Sequence, residues 1–432
     1  MNVSIISLFP ELYTSFMGTS LVKRAHEKNH ITCAVDSLFS FAQPKERVDG
    51  PAFGPGAGMV IRPEVVERAV DRVDQRYGAS YKIFFSPHGR VLDQSLVEQI
   101  YADVVAHNQH IAFFPARYEG MDARIESHYA DQVISIGNFV LMGGDIPTMM
   151  FLEAFLRQIP GVVAKEESVL QDSFAGPFVD YPAYTAPVEW KGMHVPDVLR
   201  SGHHGKIEQW RELQAIRRTL EYHFRWLAKY SLTTRQKEVV QESIPHYYVA
   251  LMHTDVKLSG GRTGETSVTS IDIHDIARTA RTYNMQRFFI VTPLRDQQHI
   301  VNTLLEFWTS GPGVAYNSDR VEAIKQVVLQ SDLDGAIDSI TTLEGVAPRV
   351  IGTSACLVEE IEELGYSEHR ALWQSTRPVL LLLGTGQGLS SNVLQQCDYI
   401  LPPLEGISDY NHLSVRSAAA IICDRLLGIN KR

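Results

Sequence analysis

The chain has 432 residues, about three times the ~150-residue length usual for one domain, so a single small module is excluded and two or three packed domains are expected. Hydrophobic residues make up 44% and charged residues 21%, near the values of ordinary globular proteins, which excludes wholesale disorder. Forty Lys and Arg against fifty Asp and Glu leave a formal charge of -10, so a generally basic nucleic-acid coat is excluded and any such contact must be a local patch.

The opening MNVSIISLFPELY has no basic leader, and its apolar run stops at Pro10, so it reads as a strand entering a turn. Short β-branched runs at 3–8, 83–85, 111–114 and 133–136 predict strands, and the longer periodic stretches 63–77 and 94–106 predict helices, with Pro63 suited to a first turn. This alternation predicts an α/β fold with a largely parallel sheet. From 160 to 185 the text is rich in Gly, Pro, Ser and aromatic residues, and a helical region follows from 205 to about 230. The polar stretch SLTTRQKEVVQESIP (231–245) has little apolar period and predicts an inter-domain linker. Strand-helix alternation then resumes, with strands expected at 247–252, 287–292, 350–352, 379–383 and 399–401. The four cysteines, Cys33, Cys356, Cys397 and Cys423, form no C-x-x-C pair, so neither a disulfide framework nor a zinc knuckle is expected, and no metal ligands are assigned. No apolar stretch approaches the ~20 residues that span a bilayer, and a cytoplasmic protein without a membrane partner is expected.

Glycine-rich turns follow consecutive predicted strands: SPHGR (86–90), RYEGMD (117–122) and SIGNFVLMGGDIP (135–147). Each alone reads as an ordinary tight turn; together, at the carboxyl ends of parallel strands, they predict one pocket. A phosphate cradle fits poorly, because GGRTGETS (260–267) lacks the Walker Lys and GTGQG (384–388) is not G-x-G-x-x-G.

With ISLFPE near the start, FGPGAGM (53–59), IPGV (159–162), DSF (172–174) and VPDVLRSGHH (195–204), these loops resemble in order and spacing the bacterial tRNA (guanine-N1)-methyltransferases of the TrmD type, over roughly residues 1–230. The resemblance implies a SPOUT-type trefoil-knot domain at 1–160, a connector and helical tRNA-binding domain at 161–240, and a homodimer. It implies S-adenosylmethionine as methyl donor, held by Ser86, Pro87, Ala116, Glu119, Ile136, Gly137, Asn138, Phe139, Val140, Leu141, Gly143, Gly144 and Pro147. Guanine N1 carries a proton at neutral pH, so a carboxylate must remove it, and a guanidinium can stabilise the charge that develops at O6. By resemblance these are Asp172, contributed by the other subunit, and Arg157; without it, Asp172 reads as readily as a turn or N-cap residue. The resemblance leaves open whether Mg2+ assists. It also implies methylation of a guanosine beside the tRNA anticodon. Between 195 and 240, nine Lys or Arg stand against five acids with Trp210, Tyr222, His223 and Trp226 interleaved, a composition that suits RNA contact or an ordinary solvated helix.

In the second half, LLLLGTGQGLS (380–390), LPPLEG (401–406) and DYNHLSVRSAAAIICDRL (409–426) again suggest a pocket at strand ends. With IDIHDIARTARTY (271–283), residues 244–432 resemble a little-characterised group of SPOUT-superfamily RNA methyltransferases, which implies a second trefoil-knot domain with a parallel sheet and an unassigned RNA substrate. A more distant resemblance to ribose 2'-O-methyltransferases makes Arg278 a candidate catalytic residue, and donor contacts would be Thr353, Leu383, Gly384, Gly386, Leu401, Pro403, Leu413, Ser414 and Ala418. A surface role for Arg278 stays open, as does a non-catalytic RNA-binding or dimerisation role for this half.

Overall fold

The computed structural model of the chain describes residues 1–54, 58–163, 172–359, 361–375 and 377–429. Pro55, Gly56 and Ala57 of the FGPGAGM stretch, and residues 164–171 of the expected connector, lie outside the described residues. By packing, the chain divides into two units, Met1–Gly176 and Pro177–Arg432. This division falls inside the Gly- and aromatic-rich connector rather than at 160 and 240, so the helical segment packs with the second unit.

In the first unit, β1 (Asn2–Ser7), β2 (Thr32–Ser37), β3 (Ser80–Val91), β4 (His110–Phe114) and β5 (Gln132–Ser135) form a sheet in the order β2-β1-β4-β3-β5. Every neighbouring pair is parallel. A parallel sheet is covered on both faces, so its central strands read as continuous apolar runs. β4, HIAFF, is buried at all five positions. The period of two still shows in which core each side chain enters: Val3, Ile5, Ile111 and Phe113 pack on one face, and Ile6, Ala112 and Phe114 on the other. Helix α1 (Pro63–Tyr77) has Pro63 in its first turn and buries Val65, Val66, Ala69, Val70 and Val73 at helical spacing. Helix α2 (Gln94–Ala106) is capped by the Asp93 carboxylate, which accepts from the Leu96 amide, and buries Leu96, Val97, Ile100 and Val104. Helices α3 (Ala123–Tyr129) and α4 (Asp145–Leu156) also belong to this unit.

The second unit opens with a short hairpin, Glu189–Trp190 with Met193–His194, followed by α5 (His204–Tyr222), a 3-10 turn Phe224–Lys229 and α6 (Thr234–Glu242). The expected linker at 231–245 is therefore corrected: it holds a helix. Thr233 accepts from the Gln236 amide while the Gln236 side chain accepts from the Thr233 amide, a capping box that low apolar content masked. Ile216, Leu220, Phe224, Leu227, Leu232 and Val240 form the core of this helical part.

Six strands of this unit, β6 (Tyr247–Met252), β7 (Arg287–Val291), β8 (Val327–Gln330), β9 (Arg349–Thr353), β10 (Val379–Gly384) and β11 (Tyr399–Leu401), form a parallel sheet in the order β8-β7-β6-β10-β9-β11. Central β6 is buried at every position, Tyr247, Val249 and Leu251 facing one core and Tyr248, Ala250 and Met252 the other. Helices α7 (Ser270–Thr282), α8 (Leu333–Glu344) and α9 (Val415–Leu427) belong to its cover. Both units bear out the expected α/β fold with parallel sheets. Strands β2 and β8 were not expected; both are sheet edges, where one-sided pairing and partial exposure dilute the apolar signal. Among the described residues no helix is long and apolar enough to cross a membrane.

Candidate active site

The 117 and 137–144 turns follow the carboxyl ends of β4 and β5, and the SPHGR turn (86–90) interrupts β3, which lies between these strands in the sheet. The chain leaves the β5 pairing after Phe85 and rejoins it at Arg90, opposite Ile134, so residues 86–89 bulge out of the ladder. The 117 and 143 turns are tied together: Arg117 and Gly143 form an isolated antiparallel bridge, and the Gly144 amide donates to the Ala116 carbonyl at 2.7 Å. A Cβ on Gly144 would stand 2.9 Å from the Ala116 nitrogen and the Pro115 Cα, so only glycine permits this approach.

These turns enclose a cavity of about 430 Å³ lined by Ser86, Pro87, Ala116, Glu119, Ile136, Gly137, Phe139, Val140, Leu141, Gly143, Gly144 and Pro147, among others. That size and mixture, apolar walls with backbone polar groups, suits a compact organic ligand. Asn138, between the lining residues Gly137 and Phe139, is solvent-exposed and is not among the residues that line the cavity.

Two features were not anticipated from sequence. At the rim, the Ser86 hydroxyl meets His88 Nδ1 at 2.7 Å, and His88 Nε2 lies 3.3 Å from Glu126, whose carboxyl is pushed up by burial against the opposing effect of His88. Beneath the donor turn, Asp145 is only 1% exposed and gathers three donors. Ser7 Oγ donates at 2.5 Å, Tyr13 OH at 3.0 Å and Arg117 Nε at 2.8 Å. Arg117 also stacks on Phe9, 4.8 Å from the ring centre, so β1 and the segment after it are coupled to the cavity wall. Burial, then the Asp145 charge, pushes the Tyr13 hydroxyl well above the ordinary tyrosine range.

Arg157 and Asp172 are brought together, but not to the cavity: they form an ion pair with each other, both about two-fifths exposed, and neither lines the cavity of their own chain. Among the described residues no group of three or more His, Cys, Asp or Glu could hold a metal ion, and no residue is assigned to Mg2+.

In the second unit, Thr353, Leu383, Gly384 and Leu401 stand at the carboxyl ends of the neighbouring strands β9, β10 and β11, with Thr353 opposite Leu401 in the ladder. Thr353 Oγ1 donates to the Leu382 carbonyl at 2.8 Å. Gly386 adopts the left-handed region in the turn after β10, and Pro403 follows β11. Leu413 and Ser414 lead into α9, where Ser414 caps by accepting from the Ser417 amide, and Ala418 lies in the helix's first turns. Arg278 is exposed on α7 and lines a cavity of about 460 Å³ with Asp275, Arg416 and Ser417, the last two on the α9 helix that Ser414 caps. There Arg416 donates to Asp272 at 3.0 Å, a residue with no short-range motif to announce it.

Comparison with known proteins adds to this geometry. Residues 1–229 match the family model "tRNA (Guanine-1)-methyltransferase TrmD", and residues 246–428 match "SAM-dependent RNA methyltransferase". The chain is 38% identical, over 99% of both chains, to a tRNA (guanine-N(1)-)-methyltransferase of Nitratidesulfovibrio vulgaris. It is 39% identical to one of Thermus thermophilus, over 56% of this chain and 98% of the other. A crystal structure of the tRNA (m1G37) methyltransferase from Aquifex aeolicus is similar at 33% identity, covering 49% of this chain and 87% of that one, with a TM-score of 0.41.

Proposed function

The chain belongs to the tRNA (guanine-1)-methyltransferase family, and from that membership we propose how its first unit transfers a methyl group from S-adenosylmethionine to N1 of a tRNA guanosine beside the anticodon. The second half is a SAM-dependent RNA methyltransferase domain. Its match to a methyltransferase model, together with the glycine-rich GTGQG turn at the carboxyl end of β10, favours catalysis over a purely scaffolding role. Both domains are read as trefoil-knotted and the protein as cytoplasmic.

The observation that carries the reading is the convergence of the 86, 117 and 137–144 turns on one cavity. Its residues fit the donor: Ile136, Leu141 and Pro147 offer an apolar slot, backbone groups of the turns offer hydrogen bonds to an adenine, and Glu119 offers a carboxylate for an ammonium. The donor supplies an electrophilic methyl. The chain's own task is to orient guanine N1 in line with it and to remove the N1 proton. We assign proton removal to Asp172 and charge stabilisation at O6 to Arg157.

Since this pair stays outside the cavity of its own chain, the site is completed by a second copy of the chain. The exposed apolar surface next to the cavity supports a homodimer: Val140 and Met142 are 88% and 89% exposed, and Ile146 and Met150 are exposed on α4. An Asp172→Ala variant is expected to take up donor with unchanged affinity in calorimetry and to lose at least ~10²-fold in 1-methylguanosine formation on a tRNA transcript. Turnover at the parental rate would reject the base assignment.

A further inference from the structure

The stretch that matches the tRNA methyltransferase model extends to residue 229 and so includes α5 and the 3-10 turn after it. By packing, however, these elements belong to the second unit. The seam is a shared core with specific contacts. Phe224 is 6% exposed and meets Trp373 edge-on, with ring centres 5.2 Å apart. Trp373 Nε1 donates to the hydroxyl of Tyr247, the first residue of the central strand β6, at 2.8 Å. Gln374 Nε2 donates to Glu221 of α5 at 2.8 Å. An aromatic ring that packs on one element and hydrogen-bonds another fixes the orientation of both.

Cations gather at this seam. Arg217 and Arg370 line a cavity of about 510 Å³ there. Burial first, and the nearby Arg225 second, lower the pKa of Arg370. Arg217 and Arg225 are exposed, and neither pairs with a carboxylate among the described residues. Glu221, Glu242 and Glu344 also line the cavity and offset its two guanidiniums, Glu221 accepting from Gln374 and Glu344 accepting from Tyr248 OH and meeting His246 Nδ1 at 2.8 Å, so the cations left to meet a polyanion are those exposed at the seam. The exposed guanidinium groups of Arg217 and Arg225 match phosphate oxygens.

We infer that the RNA substrate of the second methyltransferase domain is tRNA, captured on the same helical surface that serves the first. The inference rests on the reading of both halves as methyltransferases. β6 spans six residues, roughly 17–20 Å at the strand rise, and the seam sits at its amino end while the candidate donor residues sit at and after the carboxyl ends of β10, β9 and β11. A substrate touching both must be longer than a free nucleotide.

The test uses the full-length protein, unmodified tRNA and ribosomal RNA transcripts, S-adenosylmethionine, and mass spectrometry of the product nucleosides, with donor stoichiometry measured by calorimetry. The expected result is two donors bound per chain and a second methylated nucleoside, other than 1-methylguanosine, in tRNA. An Arg217→Glu/Arg225→Glu variant alters only exposed side chains and should lower kcat/KM for both marks at least tenfold in parallel, with donor stoichiometry unchanged. A second mark confined to ribosomal RNA, no second mark despite two donors bound, or a second mark untouched in the variant overturns the inference. One donor per chain overturns instead the methyltransferase reading on which it rests.

Discussion

Asp145 shows how a single buried group supports a cavity it does not line. Three hydrogen bonds reach it from Ser7, Tyr13 and Arg117, and the bond to Arg117 holds a guanidinium that crosses the Gly143 turn. Removing the carboxylate's charge leaves Arg117, largely buried, without its counter-ion. Asp145→Asn is therefore expected to cost roughly 2–4 kcal/mol, to lower the first unit's melting temperature and to weaken donor binding, whereas Asp145→Glu keeps the charge and should retain both. Scanning calorimetry combined with donor titration checks this; an unchanged melt in the Asn variant would remove the argument. Asp145 stood in sequence as one more residue of a glycine-rich turn, because Ser7 and Tyr13 lie more than a hundred positions away and no local pattern links them. The pairing of Arg157 with Asp172 across residues 164–171 was equally invisible, although both residues had been singled out.

Among elements, the helices with strong period were legible to their ends: α1 and α2 occupy the expected 63–77 and 94–106. Helix α6 was not, because its interior TRQKEVVQE offers little apolar content and its one fully buried residue, Val240, gives no periodic stripe. Its capping box was in the text at Thr233 and Gln236 and would have marked the helix start. Docking of α5 and the 3-10 turn after it draws on a ring distant in sequence, Trp373, which packs on Phe224. Trp373→Ala should cost about 3–5 kcal/mol through the lost packing against Phe224 and the orphaned Tyr247 hydroxyl. Limited proteolysis should then cut within 204–242 at protease levels that leave the parent intact; equal resistance would show that α5 is held by other contacts.

For the molecule as a whole, acid is expected to act most strongly on the second unit. Burial lowers His253 and His369 to a pKa of about 4, and lowers His274 as well, whereas in the first unit His110 is the depressed histidine among the described residues. A folded pKa below the unfolded 6.5 means that the unfolded chain binds more protons between these values, so this stability is present above about pH 6.5 and is lost as pH falls toward about 4. Each of His253 and His369 represents on the order of 3 kcal/mol over that window, a large share of a typical domain's 5–15 kcal/mol. Thermal melts from pH 7 to 4.5 should show the second unit's transition falling faster, and His253→Gln should flatten its slope. A parallel decline of both transitions would contradict the assignment.

The chain by itself determined the α/β class, the parallel central strands and the turns that would meet at their ends. Those properties follow from short-range causes: apolar runs of strand length, helical periodicity, and glycines where backbones must pass close to one another. Only the tertiary structure decided that Asn138 faces solvent, that Asp145 is the anchor of Arg117, and that α5 joins the second unit. Each of these depends on which distant side chains meet when a surface is buried, and that selection is made by packing among residues that no local pattern connects.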